Sequence, residues 1–249
     1  EEVRKPDAFI HYTDKAIAWI EAHGKTIAVL IAIFVLAGGS YVGFIKYKKN
    51  QEKTAQAALY SLRTQLEKLN ESYNKDTAQA AKDVIDDKAA DTVKKDFESH
   101  YATIIKDLQD FTQKYTGTYS EKAGYIQLAY LFATNKKWDK VIETLQGTVS
   151  KTPKNNFYFG LMSMMLSQAL MNTNNFSEAI KVLEQVSAQP EHQYLHAESL
   201  LRIGLCYEKQ NDMEKAKQYL ERVERDFADS EAATNAKYYL RMFKVKGNA

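Results

Sequence analysis

The sequence predicts an all-α protein in which one membrane-spanning helix is followed by an array of paired helices. Three observations carry that expectation. Thr26 to Ile45 is a run of twenty residues without a formal charge, set between Lys25 and Lys46. Beyond it the chain is rich in Ala, Lys, Glu, Gln, Leu and Tyr, holds only Pro153 and Pro190, and lacks the two-residue alternation of a half-buried strand. WDKVIETLQGTV from Trp138, FSEAIKVLEQV from Phe176 and MEKAKQYLERV from Met213 realign at spacings of 38 and 37 residues, a period typical of stacked helix pairs.

Residues 1–25 form an amphipathic first segment. With Asp7 as helix opener after Pro6, the residues Phe9, Thr13, Ala16, Ile17 and Ile20 fall at helical spacing on one face, and Gly24 is expected to end the helix. Tyr12 and Trp19 suit a membrane interface, so the segment reads as a short helix on the headgroups or as a docking helix for a partner.

Residues 26–45 read as a transmembrane helix, because twenty residues at a rise of about 1.5 Å span the roughly 30 Å of a bilayer core. A cleaved signal peptide is the competing reading. Glu1, Glu2, Asp7, Asp14 and Glu21 precede the apolar run, which also extends past any small-residue cleavage site, and both facts favour an uncleaved anchor. Gly39 and Gly43 stand at the spacing that lets a second helix approach closely and are the candidate helix-pairing residues. Arg4, Lys5, Lys15 and Lys25 precede the span while Lys46, Lys48, Lys49, Lys53 and Arg63 follow it, a balance that does not orient the helix.

Residues 46–96 read as a helical connector. Lys46 to Tyr73 continues as helix with a narrow apolar stripe of Ala58, Leu62, Leu66 and Leu69, and the charged, Ala-rich stretch from Asn74 to Asp96 reads as weakly packed. Residues 97–249 form the array. A helix around Thr103 to Tyr115, with Ile104, Ile105, Leu108 and Phe111 apolar, looks like the second half of a repeat. At the other end Ser230 to Phe243 places Ala233, Ala236, Leu240 and Phe243 on one side, as expected of a helix that caps the last apolar face.

The last repeat unit is the clearest. Leu200, Ile203, Gly204, Tyr207, Ala216, Leu220 and Val223 fall where a tetratricopeptide repeat places its packing residues, and the unit resembles that family. Small Gly204 and Ala216 would let the two helices of a hairpin touch, while Tyr207 and Leu220 would fill the space between hairpins. The middle unit keeps Ala179, Leu183 and Val186 but has Ser167 and Leu170 where Gly and Tyr are usual. The first unit has Ala129, Phe132, Val141, Leu145 and Pro153 in the corresponding places. The fold class is therefore one transmembrane helix followed by a tetratricopeptide-like helical-hairpin solenoid with a C-terminal capping helix.

No Gly-rich phosphate loop, nucleophile elbow or paired-Cys metal motif occurs in the chain. His192 and His196 are four apart, but the sequence HQYLH has Gln where a zinc protease needs its Glu base, so they read as ordinary polar positions near a turn. His11, His23 and His100 are scattered. Cys206 reads as a small packing residue. The carboxylates are interleaved with lysines at helical spacing, as on a solvated face, and a net charge of +2 gives no basic stripe for nucleic acid. The expectation is a binding protein with no catalytic residues, metal or cofactor.

What remains is a surface. In the tetratricopeptide family the first helix of each pair lines the concave side, and the family's groove positions fall here on Ile126, Tyr130 and Ala133, then Met164, Gln168 and Met171, then Leu201, Leu205 and Glu208. An apolar, Met-bearing groove can repack around unlike sequences, as a binder of unfolded or extended segments must. The clamp for a chaperone's C-terminal carboxylate is not expected, because Ile126, Tyr130, Leu201 and Leu205 stand where that mode needs Lys and Asn.

The junctions FTQKYTGTYSEKAGY and VERDFADSEAATNAKYYL resemble those of bacterial envelope repeat proteins. With the short first segment and the anchor, the chain as a whole resembles the ancillary subunits of the bacterial Sec translocon. That resemblance implies a single-pass inner-membrane protein with a periplasmic, chaperone-like domain. Its implied partners are translocon subunits, periplasmic chaperones and exported clients. The alternative is a scaffold that assembles one dedicated envelope complex through its convex face or its glycine-bearing helix.

Overall fold

The computed structural model describes residues 8–83 and 89–247, with side chains described over 12–75, 77 and 97–245. Nine α-helices and one 3-10 turn make up the described chain, and no strand occurs among the described residues. The helices are α1 (Ala8–Asp83), α2 (Ala89–Lys114), α3 (Tyr119–Thr134), α4 (Trp138–Lys151), α5 (Phe157–Asn172), α6 (Phe176–Ser187), α7 (Gln193–Lys209), α8 (Met213–Asp226) and α9 (Glu231–Gly247). The chain divides into two compact units, Glu1–Lys53 and Thr54–Ala249.

In the first unit α1 does not stop at Gly24 as expected. Glycine costs about 1 kcal/mol in a helix interior but does not by itself end one, and no proline follows to enforce a stop. The predicted face of the first segment can be followed only in part, because the side chain of Phe9 lies outside the described residues. Trp19 and His23 stack one turn apart at 4.9 Å. From Ala28 to Ile45 every side chain is exposed, and this stretch lies in the one described helix long and apolar enough to cross a membrane. A Cβ built on Gly39 or Gly43 would meet nothing within 4 Å.

In the second unit each helix packs on the next, α2 with α3 and then pairwise through α8 with α9. The turns explain the register. Asn135, Thr173 and Gln210 cap α3, α5 and α7, and the following residue in each case, Lys136, Asn174 or Asn211, has φ of 56°, 61° or 62°. Their amides close the same double ring. Lys136 N–H donates to the Ala133 carbonyl at 3.0 Å and Lys137 N–H to Phe132 at 2.9 Å, the pattern of a Schellman motif, and Asn174–Asn175 and Asn211–Asp212 repeat it. Three left-handed residues at intervals of 38 and 37 thus turn the chain back at the same point in each unit.

Helix starts are as regular. Thr118 caps α3 by accepting from Glu121 N–H at 3.0 Å, while the Glu121 carboxylate accepts from the N–H of the preceding Gly117 at 2.6 Å, a variant of the capping box that uses the Ser-Glu start of the junction. Gly117, at φ 83°, is one place where the backbone itself calls for glycine. Asn156, Asp212 and Ser230 cap α5, α8 and α9 by accepting the N–H of Tyr158, Lys215 and Ala233.

The core runs through the second unit, with Leu131, Leu145, Met162, Leu183, Ile203 and Leu220 among its fully buried side chains. A Cβ on Gly204 would lie 3.0 Å from Leu220 Cγ and 3.4 Å from the Ala216 carbonyl, so the close approach expected within that hairpin is present. Tyr207 differs from expectation. It is half-buried and stacks on Tyr219 at 5.5 Å, inside its own hairpin rather than between hairpins. Ser167 sits fully buried where glycine is usual, its hydroxyl satisfied by the Met164 carbonyl at 2.8 Å. On α9, Ala233, Ala236 and Phe243 are buried and Leu240 is half-buried, the arrangement of a capping helix.

The stripe read as connector is part of this core. Ala55, Leu59 and Leu66 are buried alongside Phe97, Tyr101, Ile104 and Leu108 of α2. The Tyr101 hydroxyl donates to Asn70 Oδ1 at 2.8 Å, and His100 Nε2 reaches the Leu69 carbonyl at 3.1 Å and Ser72 Oγ at 3.3 Å. The Tyr73 ring packs on Phe97, His100 and Tyr101. The α1 segment from Thr54 to Tyr73 is therefore the first helix of an additional hairpin whose second helix is α2. The stretch expected to be weakly packed lies mostly outside the described residues, at 84–88 and in the side chains of 78–96.

Candidate protein-interaction surfaces

The first helices of the hairpins form one row, since α3 touches α5, α5 touches α7 and α7 touches α9. That row carries the groove positions expected from the sequence. Tyr130 is exposed, while Ile126, Ala133, Met164, Gln168, Met171, Leu205 and Glu208 are half-buried. Leu201 is different, at 4 % exposure within the core. α7 packs on α5, α6, α8 and α9, and Leu201 lies on the part of its circumference that this packing covers. Leu201 therefore lines no surface.

Met164 is also drawn into helix packing. Ser199 Oγ lies 3.4 Å from its sulfur and Arg202 Nη1 lies 3.4 Å from its carbonyl oxygen. Arg202 is held by Glu198 at 2.6 Å, one turn back on α7. The row is thus amphipathic, with thioethers and leucine beside an ion pair that is 22 % and 40 % exposed. Glu198 and Arg202 were not among the residues expected there, although carboxylate and guanidinium four apart on a helix is a legible signal.

A second, polar groove of about 780 Å³ lies between α2 and α4 with α3 as its floor. None of the expected groove residues lines it. Part of its wall is bonded internally. Thr116, Thr144 and Thr148 bond back to their own helices, Lys122 pairs with Glu121 at 2.7 Å and Lys140 with Glu143 at 2.9 Å.

A third feature is a row of rings at the starts of the first helices. Tyr119, Phe157 and Tyr194 are 65, 59 and 56 % exposed and recur at intervals of 38 and 37. Tyr119 lies 6.4 Å from Tyr158, Phe157 lies 5.6 Å from Tyr158, and Phe157 stacks on Tyr194 at 6.4 Å with 23° between the planes. These rings were not among the residues expected at a surface, yet their period equals that of the repeats.

The histidine pair is structural. His192 Nε2 meets the Lys154 carbonyl at 2.7 Å and His196 Nε2 meets the Gln189 carbonyl at 2.8 Å. A carbonyl accepts, so each Nε2 carries the proton and has no lone pair for a metal. His192 is not an ordinary turn residue. It is fully buried in the Pro190–His192 3-10 turn, stacks on Phe159 at 5.7 Å, and fits because a Cβ on Gly160 would lie 2.9 Å from its Nδ1. No group of three or more His, Cys, Asp or Glu able to hold a metal occurs among the described residues. Cys206 is fully buried, and that burial pushes its thiol up to about 11, with Arg202 pulling weakly the other way.

The family model for the N-terminal domain of the ESX-1 (T7SS) secretion system protein EccA1 matches residues 74–241. Two solved structures of nearly identical TPR-like repeats of kinesin light chain from Podosopora anserina, one a single-site variant, are each 16 % identical to this chain. They cover 73 and 74 % of it and 96 % of their own chains, with TM-scores of 0.42 and 0.43. At those scores the architecture rests on the hairpins described above rather than on the likeness. No curated protein matches the chain.

Proposed function

The chain belongs to the family of the EccA1 N-terminal domain, and from that premise we propose that it is a membrane-anchored protein-interaction module working in bacterial secretion. The finer reading is an ancillary subunit of the Sec translocon. In it residues 1–25 lie at the membrane interface, residues 26–45 anchor the protein in the inner membrane, and the hairpins form a periplasmic, chaperone-like domain. Its partners are translocon subunits, periplasmic chaperones or exported clients, and the membrane, without nucleic acid, cofactor or catalysis.

One observation carries this reading: a continuous row of first helices presents Met164, Met171 and Leu205 half-buried and Tyr130 exposed. Half-buried thioethers and branched chains adapt to differing partners, which suits varied clients better than one. The anchor is supported by the exposed apolar stretch from Ala28 to Ile45, whose burial in lipid would remove about twenty residues of apolar surface from water.

A second reading, a scaffold for one dedicated envelope complex, is favoured by the family match, because the description of that family names a component of a particular secretion system. In it Gly39 and Gly43 would pair with a partner helix.

The test is photo-crosslinking in cells from Tyr130 and Leu205, with mass spectrometry of the captured proteins and protease access to spheroplasts as the topology control. Many unrelated envelope precursors together with translocon subunits are expected. A single recurring partner replaces the chaperone reading with the scaffold, and protection from external protease overturns the periplasmic assignment. Replacing Met164, Met171 and Leu205 by Glu should abolish client capture while membrane complexes persist.

A further inference from the structure

The lysines that follow the apolar stretch of α1 do not orient the helix, and the hairpin surfaces do not use them. Residues 46–53 carry Lys46, Lys48, Lys49 and Lys53 against the single carboxylate of Glu52, and all four lysines are exposed. The other flank is unlike it, since residues 1–25 carry four Lys or Arg against five Asp or Glu. Glu52 is also the only carboxylate between Glu21 and Glu67, so it can neutralise one lysine at most and the cluster stays cationic. Lys46, Lys49 and Lys53 stand three and four residues apart and so share one face of the helix.

Helix geometry gives these charges a definite depth, provided that the anchor of the proposed function holds, on which this inference rests. α1 runs unbroken from Ala8 to Asp83, so the lysines stand at fixed heights beyond Ile45. At a rise of about 1.5 Å per residue, Lys46, Lys48 and Lys49 start within about 6 Å of the end of the apolar stretch, and Lys53 starts about 12 Å beyond it. The polar layer on each side of a bilayer core is roughly 5–8 Å deep, so three of the four lysines arise inside it. Side chains of a helix lean toward its N-terminus, which on this flank is toward the core, and a long lysine stem carries the charge of Lys53 back in the same direction. Lys48 displays that lean, with Nζ 5.8 Å from the centre of the Phe44 ring one turn back. Tyr41, Phe44 and Tyr47 are all more than half exposed around the same level, as rings at a membrane interface are.

Depth and charge select the occupant. The polar layer of a bilayer holds the phosphates of its lipids. A zwitterionic headgroup balances its phosphate with its own ammonium, whereas phosphatidylglycerol leaves that negative charge for a cation of the protein. Each lysine close to an anionic lipid surface adds to the attraction, and three on one face act together.

We propose that Lys46, Lys49 and Lys53, supported by Lys48, bind the phosphates of anionic phospholipids and gather those lipids around the span.

Electron spin resonance of the full chain reconstituted in phosphatidylcholine bilayers tests this, because a lipid held at the protein gives a motionally restricted component. The probes are spin-labelled phosphatidylglycerol and spin-labelled phosphatidylcholine. At about 0.1 M salt phosphatidylglycerol is expected to associate about threefold or more strongly than phosphatidylcholine. The preference should fall toward parity at about 1 M salt, where the screening length drops from about 10 Å to about 3 Å. The triple variant Lys46→Gln, Lys49→Gln, Lys53→Gln should lose the preference. A second triple variant at exposed hairpin lysines, Lys181→Gln, Lys209→Gln and Lys217→Gln, should keep it. A preference that survives the first variant, or that the second removes equally, overturns the proposal. A restricted component with no preference between the two lipids overturns it as well and leaves the anchor standing. No restricted component with either lipid overturns the anchor, and this inference with it.

Discussion

Lys136 occupies the left-handed turn position that asparagine fills in the next two hairpins. A side chain with a Cβ pays roughly 1–2 kcal/mol there, and lysine has no short polar group to recover it locally. Lys136→Gly removes that contact at the cost of a freer unfolded chain, so the net expectation is a gain of about 0.5 kcal/mol and a higher thermal midpoint by circular dichroism. Asn174→Ala should move the midpoint the other way. Cys206 offers a second check. Its thiol, raised to about 11 by burial, stays protonated far above neutral pH. Maleimide labelling at pH 8 is expected to be negligible in the folded chain and rapid in denaturant; fast labelling of the native protein would mean that α7 opens.

Among the elements, the segment from Thr54 to Tyr73 changes role most between sequence and structure. Its buried apolar residues join the core, and the ring and hydrogen-bond contacts of Tyr73, His100 and Tyr101 tie it to α2. Leu66, at 1 % exposure, is expected to cost about 2–5 kcal/mol when replaced by Ala, read as a lower denaturant midpoint of the helical array. Leu36→Ala, on the 71 % exposed part of α1, should leave that midpoint unchanged. If Leu66→Ala behaved like Leu36→Ala, the segment would be a connector after all.

For the whole molecule, the exposed apolar stretch of α1 sets the question of where the protein resides. Placing Arg at Val35 and Leu36 together would cost roughly 2.5–3.5 kcal/mol per residue at a membrane midplane. The double variant is expected to become extractable by carbonate while the unaltered chain stays in the membrane pellet. Extraction of both would remove the anchor from the proposed function and leave the hairpin surfaces as they are.

The all-helical class, the starts of α4, α6 and α8 and the capping role of α9 were legible in the sequence. Each depends on local chemistry: helical spacing, small residues at contacts, and, for α9, Ser230 before the helix start. Only the tertiary structure decided which apolar residues remain outside. Leu201 and Leu205 are both leucines on α7, four apart, yet packing covers one fully and the other by half. Phe157 and Phe159 differ in the same way on α5. The additional hairpin of α1 and α2 and the burial of His192 against Gly160 likewise arise between elements distant in sequence. Burial is a property of the neighbours that a fold assembles around a side chain, and a single chain read locally does not contain them.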